Sequence, residues 1–194
     1  MANRKYFTLK IVRDESPSDP LEDMDWATFA GWNRRYHIGN EQPQCEPQEY
    51  LEELQQEHGD KLIILPVYMH DHGFVSYSCA DFNDRWDSGQ VGFIWTTQER
   101  WQGSTDYEPP TVESLQNTLR SIVDEYSSWA SGDAWGFIAT EMEECSHCSE
   151  AKEVSDDSCW GFIGSNDDTK DNIREHLSDD VKGLLDDAWR ARFS

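Results

Sequence analysis

Two histidines flank an aspartate at His70-Asp71-His72, and a further aspartate followed by a hydroxyl stands downstream at Asp87-Ser88. An imidazole oriented by Asp71 or Asp87 is a general base, and Ser88 is the nearest hydroxyl it could activate as a nucleophile. Arg34 and Arg35 are adjacent in a strongly acidic chain; they either pair with local carboxylates or form a fork for a phosphate or carboxylate ligand. With His37 nearby, these residues outline a small hydrolase-like site for a phosphate-containing substrate. No nucleophile-elbow string surrounds Ser88, and Asp and Gly are ordinary turn formers, so a tight turn at His70-Asp71-His72-Gly73 explains the same residues without chemistry.

A second group is Cys145-Ser146-His147-Cys148, followed by Cys159. The pair is spaced like one arm of a zinc site, and a closed site needs four ligands. Cys159 with His147, His176 or a histidine of the 70–72 turn would have to complete it. A chance cluster of cysteines on an acidic loop explains the same residues, so the expectation is no cofactor, with zinc as the alternative. The pair does not sit between a strand and a helix as a redox motif would, and no glycine-rich phosphate loop is present.

The third group is the acid itself. Glu141, Glu143, Glu144, Glu150, Glu153, Asp156 and Asp157 precede the last strand. Asp167, Asp168, Asp171, Glu175, Asp179, Asp180, Asp186 and Asp187 continue through the closing segments and form the candidate binding surface. The whole chain has 39 acidic and 16 basic residues, a net charge of -23, and a sequence pI near 4.4. Such a field repels phosphate and anionic lipid, which argues against direct nucleic-acid or membrane binding, and it attracts basic proteins. Three explanations compete: a solvated soluble surface, adaptation to high salt, and mimicry of duplex DNA with carboxylates in place of phosphates.

The elements that must position these groups are readable from periodicity. Phe7, Leu9 and Ile11 alternate with Tyr6, Thr8 and Lys10, a first strand with one apolar face, and the Pro- and acid-rich stretch Asp14 to Pro20 ends it. Pro47 to His58 reads as an amphipathic helix stopped by Gly59. Leu62 to Met69 is a strand with a bulge or edge at Pro66, and Phe74 to Cys79 is its hairpin partner. After Pro109-Pro110, Thr111 caps a helix with Val112, Leu115, Leu119, Ile122, Tyr126 and Trp129 on one side, and Gly132 ends it. Ala134 to Glu141 is a strand, 143–157 a polar excursion, Cys159 to Ile163 a strand, and Asp167 to His176 and Ser178 to Phe193 are helical. A Gly-Phe-Ile core recurs at Gly92, Gly136 and Gly161, which suggests neighbouring strands of one sheet with large rings or backbone close to each glycine.

The ordered strings Asp14 to Pro20, Trp32 to Gly39, Leu65 to Gly73, Trp86-Asp87-Ser88-Gly89-Gln90-Val91-Gly92-Phe93-Ile94 and Cys159 to Phe162 resemble a family of uncharacterised proteins from phages, plasmids and integrative elements. The family pattern has Tyr-Asp-His-Ser-Gly where this chain has His70-Asp71-His72-Gly73, and a His where Trp32 stands. The resemblance implies a mobile-element context, in which accessory proteins often counter host defence.

The expectation is a single acidic α+β domain over 1–194, with a mainly antiparallel sheet, helices packed on one face and the 164–194 helical segment on or flanking the sheet. Five scattered cysteines and no apolar run near the roughly 18 residues needed to span a bilayer suggest a soluble cytoplasmic protein of the host cell. The expected function is counter-defence of the anti-restriction or anti-CRISPR type, by stoichiometric acidic-surface binding to a basic or nucleic-acid-binding host protein. A small hydrolase built on Arg34, Arg35, His70, His72 and Asp87 is the alternative, and a virion or scaffold component a further one.

Overall fold

The alternation at residues 6–11 makes β1 (Arg4–Arg13), but its partner lies far along the chain. The computed structural model describes residues 3–104 and 110–193, so Pro109 lies outside the described residues. In chain order β1 is followed by β2 (Thr28–Gly31), α1 (Pro47–His58), β3 (Ile63–His72), β4 (Phe74–Ser78), β5 (Ser88–Thr96), α2 (Gln98–Ser104) and α3 (Val112–Ala130). Then come β6 (Ala134–Glu144), β7 (Ala151–Ile163), α4 (Asp167–His176), α5 (Asp179–Lys182) and α6 (Leu185–Ala191). The fold class is α+β, and every pairing between the named strands is antiparallel.

The chain forms two compact units, one from its two ends, up to Ser18 and from Gly132 onward, and one from Asp19–Ser131. Length alone suggests a single core. The ends form a unit apart because β1 pairs with β6 across the whole central segment, and that segment carries enough apolar side chains, Leu21, Phe29, Ile94, Leu115 and Leu119 among them, to be buried by itself.

In the unit built from the ends, the sheet order is β1-β6-β7. Ile11, Trp135, Phe137 and Phe162 line one face, with Phe7 and Leu9 packed against them, and Ile173, Leu177, Val181, Leu185 and Trp189 of the closing helices cover that face. The expected second helical segment is broken into α5 and α6 at Gly183-Leu184. In the central unit the order is β2-β5-β3-β4. Successive strand residues point to opposite faces, so Phe29, Ile63 and Ile94 meet α3 through Leu115, Leu119 and Val123, while Ala30, Ile64 and Trp95 meet α1 through Tyr50 and Leu54. This sheet therefore carries a helix on each face. Pro66 is placed where β4 does not reach, since β4 pairs only from Tyr68 onward, and the β3–β5 register shifts directly after Val67.

The three Gly-Phe-Ile strings divide between the sheets. Those in β6 and β7 are neighbours, whereas the one in β5 belongs to the central unit. A Cβ at Gly92 would lie 2.3 Å from the Ala30 carbonyl oxygen and one at Gly136 2.3 Å from the Trp160 ring, but the close approach expected at Gly161 is absent, since nothing lies within 4 Å of a Cβ there. Trp160 and Gly161 (φ +87°) form a bulge opposite Gly136, which lowers the Trp160 ring onto it.

The expected polar excursion at 143–157 is instead the distal half of a long hairpin. β6 runs to Glu144 and β7 begins at Ala151. Charge hides the strand in the sequence, but opposite charges face each other across it: Lys152 pairs with Glu143 at 2.8 Å and Lys5 of β1 with Glu141 at 2.8 Å.

Gly136→Ala should lower stability by about 1–3 kcal/mol in urea unfolding, and by less in a Trp160→Ala background where the ring is gone. Gly89→Ala, with nothing within 4 Å of its added Cβ, should change stability by no more than about 0.5 kcal/mol.

Candidate functional site

The histidine cluster is organised by a residue that the sequence reading passes over, Asp84. Its carboxylate accepts the backbone N–H of Trp86 at 3.0 Å and of Asp87 at 3.4 Å. Its carbonyl accepts the Ser88 N–H at 3.2 Å and the Ser88 hydroxyl at 2.5 Å. This knot places Asp87 beside β3, where the Asp71 N–H donates to the Asp87 carbonyl at 2.9 Å. His72 Nδ1 then lies 2.8 Å from Asp87 Oδ2, and His70 Nε2 lies 3.4 Å from Asp84 Oδ2. Residues i and i+2 of a strand share a face, and the two imidazoles stack with centroids 6.1 Å apart. Phe82 packs on His70.

The turn carrying the arginines lies at the same end of the sheet. Asn33 Oδ1 accepts the N–H of Arg35 at 2.8 Å and of Tyr36 at 3.1 Å, and the Tyr36 hydroxyl donates to Asp71 Oδ2 at 3.4 Å. Arg34 and Arg35 are exposed. The local ion pairing expected for them is not among the salt bridges of the described residues.

Two of the features that a hydrolase needs are not assembled here. Ser88 points its hydroxyl at the Asp84 carbonyl rather than at an imidazole, and it stands opposite His70 in the ladder rather than beside His72. The His72 side chain is 75% exposed, on an open surface with Trp86 and Phe74, so water is free to enter. A cavity of about 370 Å³ lies elsewhere in this unit, lined by Trp32, Pro47 and Phe93. Another of about 490 Å³ is lined by Glu41, Tyr50, His58 and Trp95, where the Tyr50 hydroxyl joins Glu41 and the Trp95 indole at 2.9 Å each.

The cysteines do not gather. Cys145 and Cys148 sit at the hairpin apex, whereas Cys159 lies opposite Phe137, about 25 Å away at the strand rise of ~3.3 Å per residue. Among the described residues no three His, Cys, Asp or Glu side chains form a metal-holding group, and of the candidates Cys145, Cys148, Cys159 and His147 the first two share the apex turn with His147 while Cys159 stands apart from them. The extension of β6 and β7, unread in the sequence, is what separates them.

The acids fall into two surfaces. On the closing helices Asp171 pairs with Arg174, Asp179 with Lys182, Asp186 with Lys170 and Arg174, and Asp187 with Arg190. Asp167, Asp168, Glu175 and Asp180 are exposed and enter no salt bridge among the described residues. On the hairpin, residues 141–157 hold seven acids and one lysine, and residues 151–158 of the edge strand β7 are exposed throughout. Lys5 holds Glu141 below the usual carboxylate range and Lys152 does the same for Glu143. No described helix is long and apolar enough to cross a membrane.

Comparison with known protein families, curated proteins and solved structures returns no match.

The Trp86 and Asp87 N–H groups, followed by His70, hold the Asp84 carboxyl below its ordinary value. A carboxyl depressed on folding adds stability above its unfolded pKa of about 3.9 and loses it as pH falls through the folded value. In an NMR titration the carboxyl-dependent step of the Trp86 and Asp87 amide resonances should therefore fall below the ordinary aspartate value of about 3.9. Asp84→Ala should abolish that transition.

Proposed function

We propose that the protein is a counter-defence inhibitor of a phage or other mobile element, which occupies the nucleic-acid-binding surface of a basic host protein by stoichiometric contact. The observation that carries this reading is the hairpin: seven carboxylates against one lysine over residues 141–157, on an exposed edge strand. Carboxylates held on a rigid ladder and left largely without counter-charges present to a cationic groove what a phosphate backbone presents. A free duplex would be repelled, which makes the partner a protein.

The closing helices extend the same surface chemistry. Asp167, Asp168, Glu175 and Asp180 are available directly. Asp171, Asp179, Asp186 and Asp187 sit in exposed pairs worth about 0–1 kcal/mol each, which a cationic partner can replace. The resemblance of the Trp86 to Ile94 string implies a mobile-element context, where accessory proteins often counter host defence, and this favours a host defence protein as the target. Association is steered by charge and weakens as salt rises.

The test is capture from host lysate on immobilised protein. A nucleic-acid-binding protein should be retained at low salt, released by duplex DNA or high salt, and lost with the variant Glu153→Gln, Asp156→Asn, Asp157→Asn. His72→Ala should retain it. Capture that ignores salt and the triple variant would overturn the reading.

The 2.8 Å contact of His72 with Asp87 favours a second reading, a small hydrolase with His72 as general base. It requires turnover of a phosphate ester that His72→Ala lowers by about 100-fold or more.

A further inference from the structure

The sheet of the unit built from the chain ends has two unlike faces. Ile11, Trp135 and Phe137, with Phe7 and Leu9, point to the closing helices. Alternate strand residues point the other way, so Tyr6, Val12, Ile138 and Met142 share the opposite face with Trp160, whose ring lies on Gly136. These five belong to none of the buried cores of the described residues; the first four are half-buried and Trp160 is 47% exposed. An apolar stripe thus runs along a sheet face that the closing helices leave uncovered.

Charge changes sign across that face. On one flank β1 holds four basic residues and no acid, and its Arg4 and Lys10 lie on this face, both exposed. On the other flank the β7 register sets Asp156 opposite Thr140 and Glu153 opposite Met142, both exposed as well. None of these four enters a salt bridge among the described residues. Between the flanks β6 contributes Ile138, Thr140 and Met142.

We propose that this face is the contact between two copies of the chain, stacked sheet on sheet about a two-fold axis parallel to the strands. A two-fold contact uses one patch twice, so the patch must complement itself. Rotation about that axis lays β1 of each copy over β7 of the other, cation on anion, and lays the apolar row of β6 over its own counterpart. An axis across the strands would instead set β1 on β1 and β7 on β7, like charge on like. Lys10 is level with Ser158, both being opposite Ile138. Asp156 of the second copy is therefore offset by two residues, about 7 Å at the strand rise, within the span of a lysine side chain. A face of three strands is near the lower size limit for a specific contact, so the dimer is weak and reversible. The contact goes beyond the counter-defence reading and is compatible with it, because a basic partner can replace β1 of the second copy at Glu153 and Asp156. Asp157, opposite Ala139, points to the other face and stays outside the contact.

The experiment is sedimentation velocity of the reduced full-length chain, from about 1 μM to about 1 mM. Salt is held at about 0.15 M, where screening over about 8 Å mutes the repulsion between two chains of net charge -23. The expected result is a monomer that becomes a dimer across this range. Lys10→Glu and Asp156→Lys should each weaken the dimer by about tenfold or more, with circular dichroism unchanged. An equimolar mixture of the two variants should dimerise as the native chain does, since every flank contact in the mixed dimer again joins opposite charges. A monomer at about 1 mM, a dimer that either single variant leaves unchanged, or a mixture no tighter than the single variants would each overturn the proposal. No host protein enters the experiment, so its failure leaves the counter-defence reading standing.

Discussion

The ten-pair ladder between β1 and β6, from Arg4 opposite Glu144 to Arg13 opposite Trp135, is the constraint on which the unit built from the chain ends depends. It joins residues separated by more than a hundred positions, so its loop-closure cost is met only when the apolar face it creates is covered. Ile11, Trp135 and Phe137 form that face, and the closing helices bury it with Ile173, Leu185 and Trp189. With β1 on one side, β6 is a central strand and holds β7 on the other, out to the apex. A free two-stranded hairpin in water is marginal; the third strand is what allows so acidic a ladder to persist.

That arrangement accounts for how charge is tolerated. Toward the helices the strand residues are aromatic and aliphatic, and toward the apex they become carboxylates, with Lys5 and Lys152 offsetting two of them. Exposed pairs of this kind contribute little stability. They set register more than they hold the fold, and they leave Glu144, Glu150, Glu153, Asp156 and Asp157 facing solvent or a partner. An edge strand lined with like charges also resists pairing with another strand, so the same residues guard against aggregation.

Much of this was legible in the residues. The inward row at Phe7, Leu9 and Ile11, the Thr111-capped helix, the stop at Gly59 and the close approaches at Gly92 and Gly136 all rest on local rules, and each is found. What was not legible is long-range. Identical Gly-Phe-Ile strings encode burial and not a partner, so nothing local separates the β5 copy from those in β6 and β7. Residues 143–157 read as a loop because their carboxylates mask the alternation, and the lysine that faces them from β1 is more than 130 residues away. Asp84 stands among several acids with nothing in the composition to single it out, although an Asp that caps the N–H groups two and three residues on is a recognised turn former. Ser88 is turned away from the imidazoles by a hydrogen bond that no spacing rule anticipates.

The central claim is that the hairpin carboxylates are the contact surface for a basic protein. Zero-length carbodiimide cross-linking of the captured complex, read by mass spectrometry, addresses it residue by residue. The account predicts links from Glu150, Glu153, Asp156 and Asp157 to lysines that line the partner's nucleic-acid-binding groove. Links confined to the Arg34–His72 end of the central unit, or to partner lysines outside that groove, would contradict it.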